Sequence, residues 1–274
     1  VHYTQFMGKD NVPFHTVVFP ATLLGSGRPW KMVDTIKGFN WLTYYGGKFS
    51  TSENRGVFMD QALEIYPADY WRYYLMSNVP ENNDTEFTWE SFGNAVNKDL
   101  ADVLGNFAQR VQAMVKKHFG LVIPEGAPWG EEEDALCETV QAHLTTFETA
   151  MDALELRKAM VTLRALWKLG NEYVDEAAPW SLLKNGEKEK AGTVLAVALN
   201  LLRLYAILGS AIIPNATATI LESLQDPKPA WPASAKSALT ALSPGHAFTP
   251  TGILFQKIAE KDLAAHQERF GGTR

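Results

Sequence analysis

The stretch AGTVLAVALNLLRLYAILGSAII, residues 191–213, is the longest apolar run in the chain and decides its class of fold. A run of this length can cross a bilayer as a helix. Asn200 and Arg203 lie near its middle, however, and a central arginine is costly in lipid. We therefore predict a helix buried in the core of a helical protein and no association with a membrane.

Helical periodicity continues on both sides of this run. Three helices precede it, with a break at FGLVIPEGAPWG (119–130) after the first. Their apolar residues recur at spacings of three and four, as on the buried face of a helix. These positions are Val96, Leu100, Val103, Phe107, Val111, Met114, then Leu136, Val140, Leu144, Phe147, Met151, Leu154, then Ala159, Leu163 and Leu166.

The later part of the chain also has a helical pattern. Pro179 opens a fourth segment, which leads into the apolar helix and stops at Pro214. A last amphipathic helix covers LFQKIAEKDLAAHQERF, residues 254–270. The pattern predicts an antiparallel helical bundle over residues 96–274.

The first 40 residues have an α/β pattern instead. YTQFMG (3–8) is a candidate strand, GKDN a turn, VPFHTVVFPATLLG (12–25) a short helix and MVDTIKGF (32–39) the next strand. Open parallel sheets place polar groups at the carboxyl ends of such strands. Residues 41–95 mix short elements with turns and form a connecting module.

Composition narrows the class of protein. The chain has 274 residues, and 46% of them are hydrophobic. Its net charge is −6, so a polyanion such as a nucleic acid could bind only at a local basic patch. Cys137 is the only cysteine; we predict a buried, inert thiol and no zinc site. The chain opens VHYTQFMGKD, without an initiator Met or a leader pattern, and reads as part of something longer.

KFSTSENRG, residues 48–56, is a hydroxyl-rich loop with little to bury. Lys48 can move onto a phosphate, and Ser50, Thr51 and Ser52 can donate hydrogen bonds to phosphate oxygens. Composition alone nevertheless favours an ordinary surface loop.

The turn after the first strand offers a second candidate site. Asp10, close behind Gly8, can accept from a ribose or cap the following helix. His15 lies on the helix face of Asn11 and beside Phe19. Together these residues indicate a nucleotide site with an apolar pocket, although a lone histidine among apolar residues is usually a core residue.

The helical bundle offers a third candidate site. Asn106 and Arg110 project from one helix face. NEYVDEAAPW (171–180) places Trp180 in the first turn of a helix, where the ring can stack an unpaired base. Alternatively, Trp180 belongs to the core and Arg110 pairs with an acidic residue. The spacing of these residues does not distinguish between the two interpretations.

The order of FMGKDNVPFHTVVFP, KFSTSENRG, LGNFAQR and NEYVDEAAPW resembles methionyl-tRNA synthetase, a class I aminoacyl-tRNA synthetase, along nearly the whole chain. The resemblance implies the carboxyl-terminal part of a Rossmann-type α/β catalytic domain over residues 1–40. It further implies a connecting module with the phosphate loop over 41–95 and an α-helical anticodon-binding bundle over 96–274.

In this family the loop corresponds to the KMSKS signature, which holds ATP phosphates. Lys48, Ser50 and Ser52 match that signature, whereas Thr51 stands where the family has a second lysine. We hypothesise that Lys48 or Arg55 replaces the missing charge.

The resemblance also implies roles for the other candidates. Gly8 and Asp10 correspond to the ribose contacts of ATP, and Lys48 of the loop corresponds to a contact with its phosphates. The predicted methionine pocket consists of Asn11, His15 and Phe19. The predicted readers of the CAU anticodon are Asn106, Arg110 and Trp180, with Asn171 as a weaker candidate.

The family's HIGH signature and its metal-bearing insertion find no counterpart in this sequence. The resemblance therefore implies a cytoplasmic ligase that uses ATP with Mg²⁺, L-methionine and tRNA(Met), with a missing amino-terminal catalytic half as a partner. The chain alone is then expected to be inactive. The alternative is a non-catalytic tRNA-binding module.

Overall fold

The computed structural model describes residues 1–272. Its strands are β1 (Thr4–Gly8), β2 (Thr35–Phe39), β3 (Leu42–Tyr44) and β4 (Thr85–Phe87). Its α-helices are α1 (Phe19–Gly25), α2 (Met59–Ile65), α3 (Ala68–Ser77), α4 (Trp89–Asn94), α5 (Asn106–Phe119), α6 (Glu131–Asp152), α7 (Leu156–Ala177), α8 (Pro179–Lys184), α9 (Lys188–Gly209), α10 (Pro214–Ser223), α11 (Ala235–Leu239) and α12 (Glu260–Arg269). Lys9–Asn11 form a 3₁₀ turn, and Phe14–Val18 and Ala95–Gly105 are π-helical.

The amino-terminal region is α/β, as the sequence predicts. β1 and β2 pair in parallel, with Gly8 opposite Phe39. The connection between the two strands contains α1. Both strands therefore end at the same edge of the sheet, where polar groups follow. A second parallel pair joins β3 to β4, with Leu42 opposite Thr85.

An aromatic core lies beneath the second strand pair. The rings of Trp71 and Phe92 stack with centroids 4.3 Å apart, and Trp89 packs edge-on against Phe87. The indole N–H of Trp89 donates to the hydroxyl of Tyr44 at 3.1 Å, so this buried polar group is satisfied. The core fixes β3, and with it the loop that follows, on α3 and α4.

The bundle contains the predicted helices, and α9 lies at its centre. α9 is long and apolar enough to span a membrane, but 94% of its most apolar window is buried inside the protein. Asn200 donates to the carbonyl of Leu242 and accepts from its N–H, at 3.3 and 2.7 Å. Arg203 Nε lies 2.6 Å from Asp226 Oδ2. The polar residues of the run therefore have partners, and the prediction of a buried core helix is confirmed.

The segment from Pro179 to Pro214 differs from the prediction at two points. The segment from Pro179 divides into α8 and α9, because Gly186 has φ +84°, a left-handed conformation that ends α8. The apolar helix ends at Gly209, and Pro214 starts α10 rather than ending α9. The predicted domain boundary at residue 96 does not coincide with a break in the backbone. It falls within helical backbone that runs from Trp89 to Phe119.

The last helix begins at Glu260, not at Leu254. The hydroxyl of Tyr70 accepts from Gln256 N and donates to Gln256 O, at 2.7 and 3.0 Å. The amide of Asn97 bonds the N–H and C=O of Ile258 in the same way. The N–H and C=O groups of Gln256 and Ile258 bond these side chains and are not available for helical hydrogen bonds. The segment before Glu260 is therefore not helical.

α12 does not join the bundle but packs on α4. Gly93 permits this approach, because a methyl group there would collide with Leu263. His266 contacts the hydroxyl of Tyr66 at 3.1 Å, and Phe270 lies 5.8 Å from Trp89 between ring centroids. The chain thus returns from the bundle to the aromatic core beneath the loop.

Candidate nucleic-acid interface and phosphate loop

Arg110 and Trp180 line one cavity of about 530 Å³ between α5 and α8. Lys117 and Lys184 also line it, and Met114 contributes an apolar wall. Three cations thus gather at this place in a chain whose net charge is −6. The local basic patch that a polyanion would require is present here.

The turn between α7 and α8 positions Trp180. Ala178 has φ +44° and ψ 58°, a left-handed conformation that costs roughly 1–2 kcal/mol for a residue other than glycine. Its carbonyl accepts from Ser181 N at 2.8 Å, and the buried Pro179 starts α8. The indole is left 44% exposed, so Trp180 is not a core residue.

Arg110 is held by α7. Its Nη1 lies 2.6 Å from Asp175 Oδ1, and its Nη2 lies 3.4 Å from Asn171 Oδ1. The expected alternative, a pair with an acidic residue, is therefore present. The Arg110 side chain is 27% exposed and that of Asp175 57%, so solvent screens the pair from the side of Asp175, and exposed pairs contribute only about 0–1 kcal/mol. A competing anion or base edge can displace it at little cost.

The other two predicted anticodon residues lie close by. The amide of Asn171 donates to the carbonyls of Trp167 and Val103, at 2.9 and 3.2 Å, and so ties α7 to the π-helical segment before α5. Asn106 is exposed one helical turn before Arg110. Arg110, Asn171 and Trp180 therefore come together, whereas Asn106 lies just beyond the cavity.

Sequence reasoning missed the two lysines of this cavity. Lys117 follows Arg110 by seven residues on α5, and Lys184 follows Trp180 by four on α8. Both spacings place the pairs on one helix face. A search for cations at these spacings would have found them.

The predicted phosphate loop, residues 48–56, contains a tight hairpin. Ser50 and Arg55 exchange both backbone hydrogen bonds at 2.9 Å. Ser50 Oγ also accepts from Glu53 N at 3.3 Å and lies 3.2 Å from Ser52 Oγ. Lys48 and Thr51 are exposed to solvent. The loop thus presents a lysine and hydroxyl groups on a backbone that is already ordered.

Arg55 points away from the exposed side of this hairpin. Its Nη2 donates to the carbonyls of Tyr44 and Tyr45, at 2.9 and 3.3 Å, and lies against Gly47. This guanidinium supports the turn that follows β3. The geometry does not favour the hypothesis that Arg55 replaces the charge missing at Thr51.

The ribose candidates follow β1. A methyl group on Gly8 would lie 2.8 Å from Asp10 Oδ1, so the glycine leaves room for this carboxylate beside the strand end. Asn11 Nδ2 lies 3.3 Å from the same oxygen. The carboxylate therefore lies at the edge where a ligand of a parallel sheet is expected.

The remaining methionine candidates lie on the helical segment after Gly8. His15 Nδ1 is 3.2 Å from Gln5 Oε1, and the ring of Phe19 is 41% exposed. Among residues 1–272 no group of His, Cys, Asp or Glu side chains is placed to hold a metal ion.

The class of protein follows from comparison with known families. Residues 1–112 match the family of class I tRNA synthetases (M). The class of protein is therefore a class I aminoacyl-tRNA synthetase. Residues 123–274 match the anticodon-binding domain of methionyl-tRNA ligase. The chain belongs to the methionyl-tRNA synthetase family.

Individual relatives agree with this assignment. The methionine–tRNA ligases of Ruegeria pomeroyi and Dinoroseobacter shibae are 55% and 53% identical over the whole chain, which covers 48% of each. The Mycobacterium tuberculosis methionyl-tRNA synthetase in complex with methionyl-adenylate is 28% identical, with a TM-score of 0.81 over 92% of this chain and 49% of that one. The chain thus spans about half the length of the curated relatives it matches.

Proposed function

We propose that this chain is the part of a methionyl-tRNA synthetase that reads the CAU anticodon of tRNA(Met) and carries the ATP phosphate loop. The whole enzyme activates L-methionine with ATP and Mg²⁺ and transfers the methionyl group to tRNA in the cytoplasm. The observation that supports the anticodon assignment is the cavity that Arg110 and Trp180 line together, where Trp180 is 44% exposed.

The anticodon site works by stacking and by hydrogen bonding to base edges. The exposed indole of Trp180 supports an unpaired base, which suits single-stranded RNA. When RNA binds, the guanidinium of Arg110 releases Asp175 and bonds the edge of a base instead. Asn106 and Asn171 offer further amide groups nearby. Lys117 and Lys184 neutralise the adjoining phosphates.

The ATP and methionine sites in this chain are partial. Large apolar side chains of the first 41 residues are exposed on the sheet, its helical segment and the adjoining loops: Phe6, Phe14, Val17, Val18, Phe19, Leu24, Trp30 and Trp41. An apolar face of this extent indicates a surface that another part of the protein covers. The amino-terminal catalytic half of the synthetase is the proposed cover, and the chain alone is therefore expected not to form methionyl-adenylate.

Within the assembled site, Lys48 binds ATP phosphates, and Ser50, Thr51 and Ser52 donate hydroxyl groups to them. Gly8 and Asp10 bind the adenosine ribose, and Asn11, His15 and Phe19 line the methionine pocket. Arg55 orders the loop through the carbonyls of Tyr44 and Tyr45.

Two titrations test this proposal. We expect the isolated chain to bind tRNA(Met), because the proposed anticodon cavity is lined by residues of this chain. We expect no saturable binding of ATP, because this chain supplies only part of the proposed nucleotide site. In the full-length enzyme, Lys48→Ala should slow methionine-dependent pyrophosphate exchange. Unchanged exchange in that variant would favour a tRNA-binding module without a role in catalysis.

A further inference from the structure

We propose that Arg269, at the end of α12, supplies the cation that Thr51 lacks in the phosphate loop. This inference rests on the proposed function and assigns to the site a residue that lies far from the loop in sequence. Its basis is a cavity of about 560 Å³ between the loop, the start of α2 and the end of α12.

Thr51 and Arg269 line this cavity together. Arg269 is the only cation among its lining residues, and Asp60 is the only anion. The guanidinium of Arg269 forms no ion pair with a described residue and lies 4.9 Å above the ring of Phe270. A cation is thus available in the cavity that also contains the position of the family's second lysine.

The backbone holds the end of α12 on the loop. Gly56 N donates to Phe270 O at 2.9 Å, and Arg55 forms an antiparallel bridge with Gly271. Phe270 is buried against Trp89, which anchors the segment in the aromatic core. Arg269 therefore keeps its place beside Thr51 when the loop carries phosphates.

The charge is needed at one step of the proposed reaction. A carboxylate oxygen of methionine attacks the α-phosphorus of ATP and forms the acyl–phosphate bond. The bond between this phosphorus and the oxygen that bridges to the β-phosphate breaks, and its electron pair leaves with pyrophosphate. Arg269 stabilises the negative charge that develops on the departing group.

Pyrophosphate exchange by the full-length enzyme tests this role, and all variants are named in the numbering of this chain. Arg269→Ala should lower kcat by about 100-fold or more, because losing one donor that stabilises transition-state charge costs roughly 100- to 1,000-fold. Arg269→Lys should retain most of the rate. Lys261→Ala, a cation on α12 that does not line the cavity, is the matched control and should leave kcat unchanged.

The decisive variant is Thr51→Lys with Arg269→Ala. It returns a lysine to the family's position, and we expect it to restore most of the rate that Arg269→Ala removes. Because a structural role of Arg269 would not respond to a lysine at position 51, failure of this rescue would overturn the proposal. An unchanged kcat in Arg269→Ala would overturn it too. An enzyme without exchange activity before any substitution would instead refute the proposed function.

Discussion

Replacing Trp180 with alanine removes the proposed stacking platform while leaving the fold intact. Losing an aromatic residue that stacks on a base costs roughly 1–3 kcal/mol, which corresponds to about a 5- to 150-fold rise in Kd for tRNA. A fully buried tryptophan costs about 3–5 kcal/mol of folding free energy on truncation. Because Trp180 is 44% exposed, we expect its stability cost to be about half of that, roughly 2 kcal/mol.

Trp231→Ala is the matched control. Trp231 is also half exposed, at 50%, but it lines a different cavity between α6 and α9 and donates to Glu148. Both variants should lose similar stability in urea unfolding, and only Trp180→Ala should lose affinity in a fluorescence titration with tRNA(Met). An affinity loss below about 0.3 kcal/mol in Trp180→Ala, or an equal loss in both variants, would refute stacking at this ring.

Three further predictions concern the fold that supports the sites. Asp226→Asn leaves the buried Arg203 without a counter-ion and should lower the free energy of unfolding in urea by about 2–4 kcal/mol. Gly170→Ala places a methyl group against the hydroxyl of Tyr205 and should cost about 1–3 kcal/mol in the same assay. Burial lowers the pKa of His266 below its usual 6.5, and the charge of Arg269 adds to the shift. The imidazole of His266 therefore binds a proton more readily in the unfolded chain than in the folded one. The free energy of unfolding should fall as pH drops through 6.5 and level off below the pKa of His266 in the folded protein, and His266→Gln should reduce this dependence.

Matched variants separate these effects from general damage. Asp134→Asn breaks an exposed pair with Lys236 and should leave stability nearly unchanged. Gly25→Ala meets no atom within 4 Å and should be tolerated. Equal losses in Asp226→Asn and Asp134→Asn would contradict the account of the buried pair. A pH dependence that His266→Gln leaves intact would assign the effect to another group.

Much of the fold could be predicted from local patterns. The periodic apolar residues gave the bundle helices, and the alternation of strands and helix at the start gave the parallel pair, because both signals depend on neighbouring residues. The start of α12 could not be found in this way. Its backbone groups are captured by Tyr70 and Asn97, which lie more than 160 residues earlier.

The sites were predictable in residue type more than in orientation. Local sequence indicates the chemistry of Arg110 and Trp180 but not the distance between them, and the fold places both around one cavity. Arg55 looked available for phosphate, but its guanidinium bonds the turn after β3. The approach of Arg269 to Thr51 depends on α12 packing on α4, which no local pattern indicates.

Anticodon selectivity tests the central claim most directly. The isolated chain would be titrated with an RNA stem-loop that carries CAU and with one that differs only in those bases. Since a base-edge contact is worth about 1–3 kcal/mol, we predict that the CAU loop binds at least about tenfold more tightly. Equal affinity for the two loops would contradict the assignment of Arg110 and Trp180 as anticodon readers.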